Sequence, residues 1–458
     1  MIQLQRIAAL AVLALCLLAS GCATIRPARP DLARLYESNS VDVEQPPVIL
    51  IHGLMGSTLV DSKTGKQFWP GSLGTLAFST YGDLAHMTSE TGDGPHLVPG
   101  DLFTGIGGVD FYSALVDTLE QVARYKRGVP GQPVGNDRRR YYVLLYDWRK
   151  DNFEAVKQLH ALIEQIRIDY RDPKLRVDII AHSNGGLIAD YYLRYGPTDV
   201  LDQREFKPWD EGDKRIRRIV MLGTPLLGAV TSLERLVAGF RLTLRPIPVE
   251  VLATFATPFE ALPHPLVHSV VDPAGQAIDL DIYDSGMWRR NRWGVYSPEV
   301  EARVRATAKL PADGERAVAD LQATFEHNLE RARKFQWALT PPFLDQDVSV
   351  AIFGGDCSLT EGHAVLEQTV GGPKLAFRPG DVQKKLPGVD YEDLMLEPGD
   401  TLVTRSSEVA RESNDPGKPR HAFNFFPAAQ SFFLCESHDQ LTTNVYFQDN
   451  LLYFLLSR

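Results

Sequence analysis

The stretch "RVDIIAHSNGGLIADYYLRYG", Arg176–Gly196, decides the fold. Val177–Ile180, "VDII", reads as a strand. From Gly185 onward the residues read as a helix closed by Gly196. Ser183 stands between the two, with Ala181 two places before it and Gly185 two places after. A strand that turns sharply into a helix needs small neighbours, because the backbone is crowded there, and such a turn exposes the serine oxygen. Ala181 takes the place of the first glycine of the small-x-Ser-x-small pattern.

The same alternation extends outward. "PPVILIHGLMGS" (Pro46–Ser57), "YYVLLYDWR" (Tyr141–Arg149) and "IRRIVMLGTP" (Ile216–Pro225) each hold a buried-strand run that ends in polar or Gly-containing residues. Phe111–Tyr125 and Asn152–Tyr170 have helical apolar spacing. Strands alternating with helices predict an α/β fold with a mostly parallel central sheet, helices on its faces and right-handed crossovers. The alternation stops near Leu226. To about Pro341 the chain reads as helical and Pro-interrupted, without clear strands, until "DVSVAIFGG" (Asp347–Gly355) restores the strand pattern. The expected organisation is therefore a first core part over 46–225, a cap or lid insertion over 226–345, and a second core part over 346–458. "NVYFQDNLLYFLLS" (Asn444–Ser457) is a last helix expected to pack on the sheet. Gln448, Asp449 and Asn450 interrupt it as a membrane span.

The N-terminus reads as a targeting segment. Arg6 precedes an apolar run from Ile7 to Ala19, too short to span a bilayer comfortably. "LASGC" (Leu18–Cys22) resembles a bacterial lipobox, which implies a signal peptide over 1–21, lipidation of Cys22 and a tether over 22–45. The competing reading is an ordinary signal peptide beside a chance cysteine. The lipobox reading places the protein in the bacterial cell envelope, anchored in the outer membrane or facing the periplasm, with the membrane surface as a partner. Cys357 and Cys435 remain as an even pair, either a disulfide in an oxidising compartment or two buried thiols.

Composition narrows the function classes. The chain has 458 residues, 44% of them hydrophobic, enough for one large domain with insertions or for two domains. A net charge of −10 with no basic stripe sets nucleic acid aside.

The chemistry follows from what a serine needs. Its hydroxyl is a poor nucleophile until a base lies within hydrogen-bond reach and a third group orients that base. The expected order after the serine is acid, then histidine. Of eleven histidines, His363, His421 and His438 lie in the sheet-forming part beyond Ser183. His438, in the polar loop "CESHDQLTTN" (Cys435–Asn444) before the last helix, sits where the base is expected. For the acid, Asp400 in "EPGDTLVTRSS" (Glu397–Ser407) leads, and Asp356 in "FGGDCS" is the alternative. Oxyanion donors are expected from the backbone N–H of Asn184 and, in the early "HGLMG" loop (His52–Gly56), of Leu54. On this reading Asn184 acts through its backbone alone, and loss of its side chain should leave most activity. No metal or organic cofactor is called for.

Taken together, "VILIHGLMGSTL", "YDWR", "AHSNGG", "LGTPLLG", "GDTLVTRS" and "HDQLTTN" resemble the lecithin:cholesterol acyltransferase family of α/β hydrolases. That family includes lysosomal phospholipase A2-type enzymes, phospholipid:diacylglycerol acyltransferases and bacterial lipase-like members. The resemblance implies an α/β-hydrolase fold with a large, mainly helical cap. It implies Ser183, Asp400 and His438 as the catalytic triad, with Leu54 and Asn184 as the oxyanion hole. The implied reaction is hydrolysis of a lipid or phospholipid ester through an acyl-enzyme on Ser183. The alternatives are acyl transfer to a lipid alcohol or, in another class, a silent scaffold or adhesion protein. In "YDWR", Asp147 and Arg149 are expected to pair at the strand end. His52 stands where many relatives have Pro, and Cys357 and Cys435 flank Asp400 as a family disulfide does, at different offsets.

Two cap segments each admit two readings. "MWRRNRWG" (Met287–Gly294) either docks at a lipid headgroup layer or packs its tryptophans while its arginines pair with acids. Leu236–Phe255 lines an acyl channel or is ordinary core.

Overall fold

The computed structural model describes residues 30–37, 44–72, 74, 78–86, 96–106, 109–241, 245–308, 310–341, 347–410 and 428–457. The leader, Cys22 and His421 lie outside the described residues.

The core is one seven-stranded sheet. Its strands are β1 (Val48–Ile51), β2 (Lys126–Arg127), β3 (Arg140–Leu144), β4 (Val177–His182), β5 (Ile216–Leu222), β6 (Ser349–Gly355) and β7 (Gln430–Leu434). They lie in the order β7-β6-β5-β4-β1-β3-β2, and every pairing is parallel. Strands β1 and β4 are buried along their whole length. In β1 both faces are covered by apolar neighbours, and every residue is aliphatic. Strand β4 admits two polar side chains because each has a partner: Asp178 accepts from Arg217 at 2.9 Å, and His182 is hydrogen-bonded to Tyr112 and His438. On one face lie α1 (Asn152–Asp169) and α2 (Asn184–Tyr195), which pack against each other and the sheet through Val156, Leu159, Ile163, Ile188 and Tyr192. On the other lies a C-terminal helix, Val445–Leu456, whose Phe447, Leu451 and Leu455 join Ile180, Val220 and Phe353. Among the described residues, no helix is long and apolar enough to cross a membrane.

Between β5 and β6 the chain forms a separate layer built on the 28-residue helix Pro311–Ala338, with its own apolar core around Trp288, Phe259 and Phe325. Two details differ from the sequence reading. Val270–Val271 is a short strand in a stretch read as strandless, and it pairs with Ala364–Thr369, which in turn pairs with Gly372–Ala376. Residues 364–376 were expected in the second core part. They instead form a sheet apart from the main one: Ala364, Leu375 and Phe377 pack into the layer above, and Val365 and Ala376 pack on Val382, Tyr391 and Met395.

The two ambiguous segments of that layer are structural. Trp288 and Trp293 are buried and donate their indole N–H to the carbonyls of Ile282 and Pro373. Arg289 pairs with Glu326 at 2.6 Å and Arg290 with Asp284 at 3.0 Å. Leu236, Ile247, Val251, Leu252 and Phe255 are core.

Candidate active site

Ser183 caps the N-terminus of α2 with φ 55° and ψ −124°, a conformation that side-chain-bearing residues rarely adopt. Its amide donates to Leu222 O at 2.7 Å, and its carbonyl accepts from Gly186 N at 2.9 Å. The glycines after it are required by space. A Cβ on Gly185 would stand 2.6 Å from Ile51 O, and one on Gly186 only 1.9 Å from Thr224 Oγ1. The helix start is thus pressed onto the end of β1, and the serine oxygen points out of the crowded turn.

His438 Nε2 lies 2.9 Å from Ser183 Oγ, and His438 Nδ1 lies 2.5 Å from Asp400 Oδ2. Asp400 is fully buried directly after the strand Leu396–Gly399. Its other oxygen, Oδ1, accepts the N–H groups of Val403 at 2.7 Å and Leu402 at 3.0 Å. Burial works against the Asp400 charge, but the facing imidazole and these two amides outweigh it and hold the carboxyl below its ordinary pKa. An acceptor-only carboxylate keeps the proton on His438 Nδ1 and leaves Nε2 free to take the serine proton. The His438 amide also donates to Asp400 O at 2.7 Å, so backbone and side chain are fixed by one residue.

The alternative acid, Asp356, is elsewhere. It pairs with Arg405 at 3.0 Å and is not hydrogen-bonded to His438. His363 lines a different cavity of about 540 Å³. Cys357 and Cys435 are joined as a disulfide that links the end of β6 to the segment leading into His438.

Leu54, Asn184, Ser183 and His438 line one small cavity of about 40 Å³, with Arg235, Thr231 and Leu402 around it. No described hydrogen bond takes up the backbone N–H of Leu54 or Asn184. The Gly53 amide is occupied: it donates to Tyr112 Oη at 2.9 Å. Tyr112 therefore turns its own O–H to His182 Nδ1 at 2.8 Å, which leaves the proton of His182 on Nε2, facing His438 O at 3.2 Å. This chain ties the Gly53 turn to the histidine backbone. Burial pushes His182 down to about 3, so the ring stays neutral and cannot compete with His438 for protons.

The expectation for Asn184 needs correcting. Its side chain donates to Tyr146 Oη at 3.1 Å and to Asn152 Oδ1 at 2.7 Å, and accepts from Asn152 Nδ2 at 3.0 Å. Asn152 begins α1, and its amide donates to the buried Glu260 carboxyl at 3.1–3.2 Å. Tyr146 in turn donates to His52 O at 2.9 Å and stacks on the His52 ring at 4.2 Å. Next to it, Asp147 and Arg149 form a buried two-bond pair at 2.7 and 2.9 Å, and Arg149 reaches Leu84 O. "YDWR" is thus a brace between the turn at Ser183 and the loop at Leu54.

Residues 134–262 match the lecithin:cholesterol acyltransferase family. The match to this acyltransferase family spans the brace, the turn at Ser183 and the Gly-Thr-Pro turn, and ends before Asp400 and His438. A search of curated proteins finds no match. Among solved structures, the Tle4–Tli4 complex contains a chain with 14% identity and TM-score 0.55, covering 90% of this chain and 98% of that one. The Bacillus licheniformis lipase BlEst2 in mature form gives 12% identity and TM-score 0.32, covering 91% and 94%. EstA from Clostridium botulinum gives 13% and 0.35, covering 92% and 90%. The fold is that of the α/β hydrolases, with the acyltransferase-family segment at its centre.

Tyr112, His182, Asn152, Arg235 and Glu408 were not found from the sequence. His182 adjoins Ser183, and Glu408 follows Asp400 by eight residues. Proximity was the only signal for these two, and Tyr112, Asn152 and Arg235 had none, since a buried polar side chain has no periodicity of its own.

Proposed function

We propose that this protein is a serine-dependent lipid ester hydrolase. His438 takes the proton from Ser183 Oγ as that oxygen attacks the ester carbonyl, and Asp400 holds the imidazole. The oxyanion is received by the N–H groups of Leu54 and Asn184, each worth about 3 kcal/mol of barrier. Protonated His438 then gives its proton to the leaving alcohol. Water, activated by the same nitrogen, releases the acid. The observation that carries this reading is the unbroken line Ser183 Oγ–His438 Nε2, His438 Nδ1–Asp400 Oδ2, at a serine held in a strained turn.

Arg235 favours an anionic lipid, a phospholipid, over a neutral one. It lines the same cavity as Ser183, and its guanidinium lies over the Phe240 ring, 4.2 Å from the centroid. Among the described residues no carboxylate pairs with it, and the adjacent Glu234 pairs with Arg378. Stacking covers the face of the guanidinium and leaves its N–H edge for a phosphodiester.

A second reading is transfer of the acyl group to a lipid alcohol in place of water, favoured by the acyltransferase family match at 134–262. Export fits the Cys357–Cys435 disulfide, and lipid anchoring at Cys22 would hold the enzyme at its substrate surface.

A fluorophosphonate probe should label the wild type and fail to label Ser183→Ala. Equal labelling of both, or of neither, would sink the esterase reading. Product analysis with a labelled phospholipid, with and without added long-chain alcohol, separates hydrolysis from transfer.

A further inference from the structure

A second carboxyl lies behind Asp400. Glu408 ends the short helix Arg405–Glu408 and is fully buried, and neither of its carboxyl oxygens is hydrogen-bonded. The room for it is made by the paired glycines at the end of β6. A Cβ on Gly354 would stand 1.9 Å from Glu408 Oε2, and one on Gly355 would stand 2.6 Å from Asp400 Cβ. The chain thus gives up two side chains at the tip of a central strand to seat two acids side by side.

The groups facing Glu408 are few. The Asp400 carboxyl and the Gly355 N–H are the polar groups turned towards it, and Asp356 acts from further off. Asp356 is balanced by Arg405, and His438 is reached only through Asp400. Among the described residues, no cation faces Glu408. An isolated buried carboxylate is strongly disfavoured, and a second negative charge beside Asp400 more so. Glu408 is therefore a neutral acid, and burial followed by the Asp400 charge pushes its pKa well above the ordinary range. A neutral carboxyl has one O–H to donate. Gly355 is a donor, so Asp400 is the acceptor that remains. Among the described residues, Asp400 Oδ1 takes two amides while Oδ2 takes His438 alone, which leaves one acceptor position to spare.

We propose that Glu408 is a positioning residue that donates its carboxylic proton to Asp400, completing that carboxylate's hydrogen bonds and setting how strongly it draws a proton onto His438. The proposal rests on the hydrolase reading. With the donor present, the Asp400 charge is shared, and the imidazole is less basic. Without it, Asp400 faces His438 with undivided charge, and the imidazolium is favoured.

The test is the pH profile of kcat/KM for a soluble p-nitrophenyl ester, read for wild type, Glu408→Gln, Glu408→Leu and Glu408→Met. In the leucine and methionine variants the acid limb should move up by about half to one pH unit, with kcat down roughly tenfold and KM unchanged. Glutamine, which keeps an N–H donor, should hold the wild-type limb. A folded leucine or methionine variant with the wild-type limb would overturn the proposal, as would a glutamine variant whose limb shifts. If neither apolar variant folds, the glutamine limb decides. Failure of the underlying reading looks different: the wild type would then not hydrolyse the ester, or Ser183→Ala would retain the activity.

Discussion

The side chains of Asn152 and Asn184 exchange two hydrogen bonds, at 2.7 and 3.0 Å, across the start of two helices. One residue begins α1 and the other follows Ser183, so the pair sets the turn against its neighbour. Asn184→Ala removes both bonds and the donor to Tyr146, and leaves a fully buried Asn152 amide unpaired. The expected loss is about 2–4 kcal/mol of stability. Because the Asn184 N–H shifts with the turn, kcat should also fall roughly tenfold, towards the loss of one oxyanion donor. Chemical denaturation and steady-state kinetics on the same sample check both. Wild-type stability in this variant would mean that the pair does no structural work.

Arg235 predicts a selective loss. Arg235→Ala should lower kcat/KM on a phosphodiester lipid by about 10- to 100-fold, the range of a charge-assisted hydrogen bond. A diacylglycerol with the same acyl chains should change less than about threefold, because no anion is there to lose its partner. Inorganic phosphate should inhibit the wild type and not the variant. Equal losses on both lipids would assign Arg235 to packing on Phe240.

How much of this was legible in the sequence depends on what kind of pattern each feature leaves. The sheet was legible because β1 is written in unbroken aliphatics, and because β4, though it holds Asp178, keeps the β-branched Val177, Ile179 and Ile180 just before the turn at Ser183. Ser183 was legible because its turn excludes side chains at fixed offsets. The sequence left Asp356 and Asp400 both open, since both sit at strand ends and chain order cannot say which turn folds back on His438. The Tyr112–His182 link joins residues 70 apart through one hydrogen bond, with nothing periodic to announce it. The excursion of 364–376 was hidden for a similar reason: a β-hairpin reads alike whether it joins the main sheet or the layer above it.

His52 predicts a pH dependence of stability. Burial holds its folded pKa near 4, against 6.5 for an ordinary histidine. Between those values the unfolded chain takes up a proton at His52 that the native state refuses, so stability falls as pH falls. The slope is about 1.4 kcal/mol per pH unit for one group. Other groups titrate in the same window, Glu260 and Glu408 in the opposite sense, since their raised pKa values favour the native state as pH falls. The comparison with His52→Phe removes them, because they are common to both proteins, and phenylalanine keeps a ring to stack on Tyr146. Above pH 6.5 the stability difference between the two should be constant. Below it the wild type should lose ground steadily to about pH 4. A difference independent of pH would mean that His52 takes up its proton as readily in the native state as in the unfolded chain.

Gly185→Ala sets two effects of known sign against each other. Gly185 is the second residue of α2, and alanine in a helix is favoured over glycine by up to about 1 kcal/mol. Its Cβ would meet backbone on the other side, 2.6 Å from Ile51 O and 2.8 Å from His52 O. Backbone at the end of a central strand cannot swing aside as a side-chain tip can. Either α2 lifts away, or β1 yields at the loop that carries Leu54. Relief of such an overlap costs about 1–3 kcal/mol, so the clash outweighs the helix preference. Both modes of relief separate Ser183 from the Leu54 N–H, so kcat should fall more than stability suggests, with little change in KM. Gly74, whose Cβ would meet nothing closer than 3.7 Å, serves as the control for a harmless glycine-to-alanine change. A Gly185→Ala protein at least as stable as wild type and fully active would show that the helix start is not pressed onto β1.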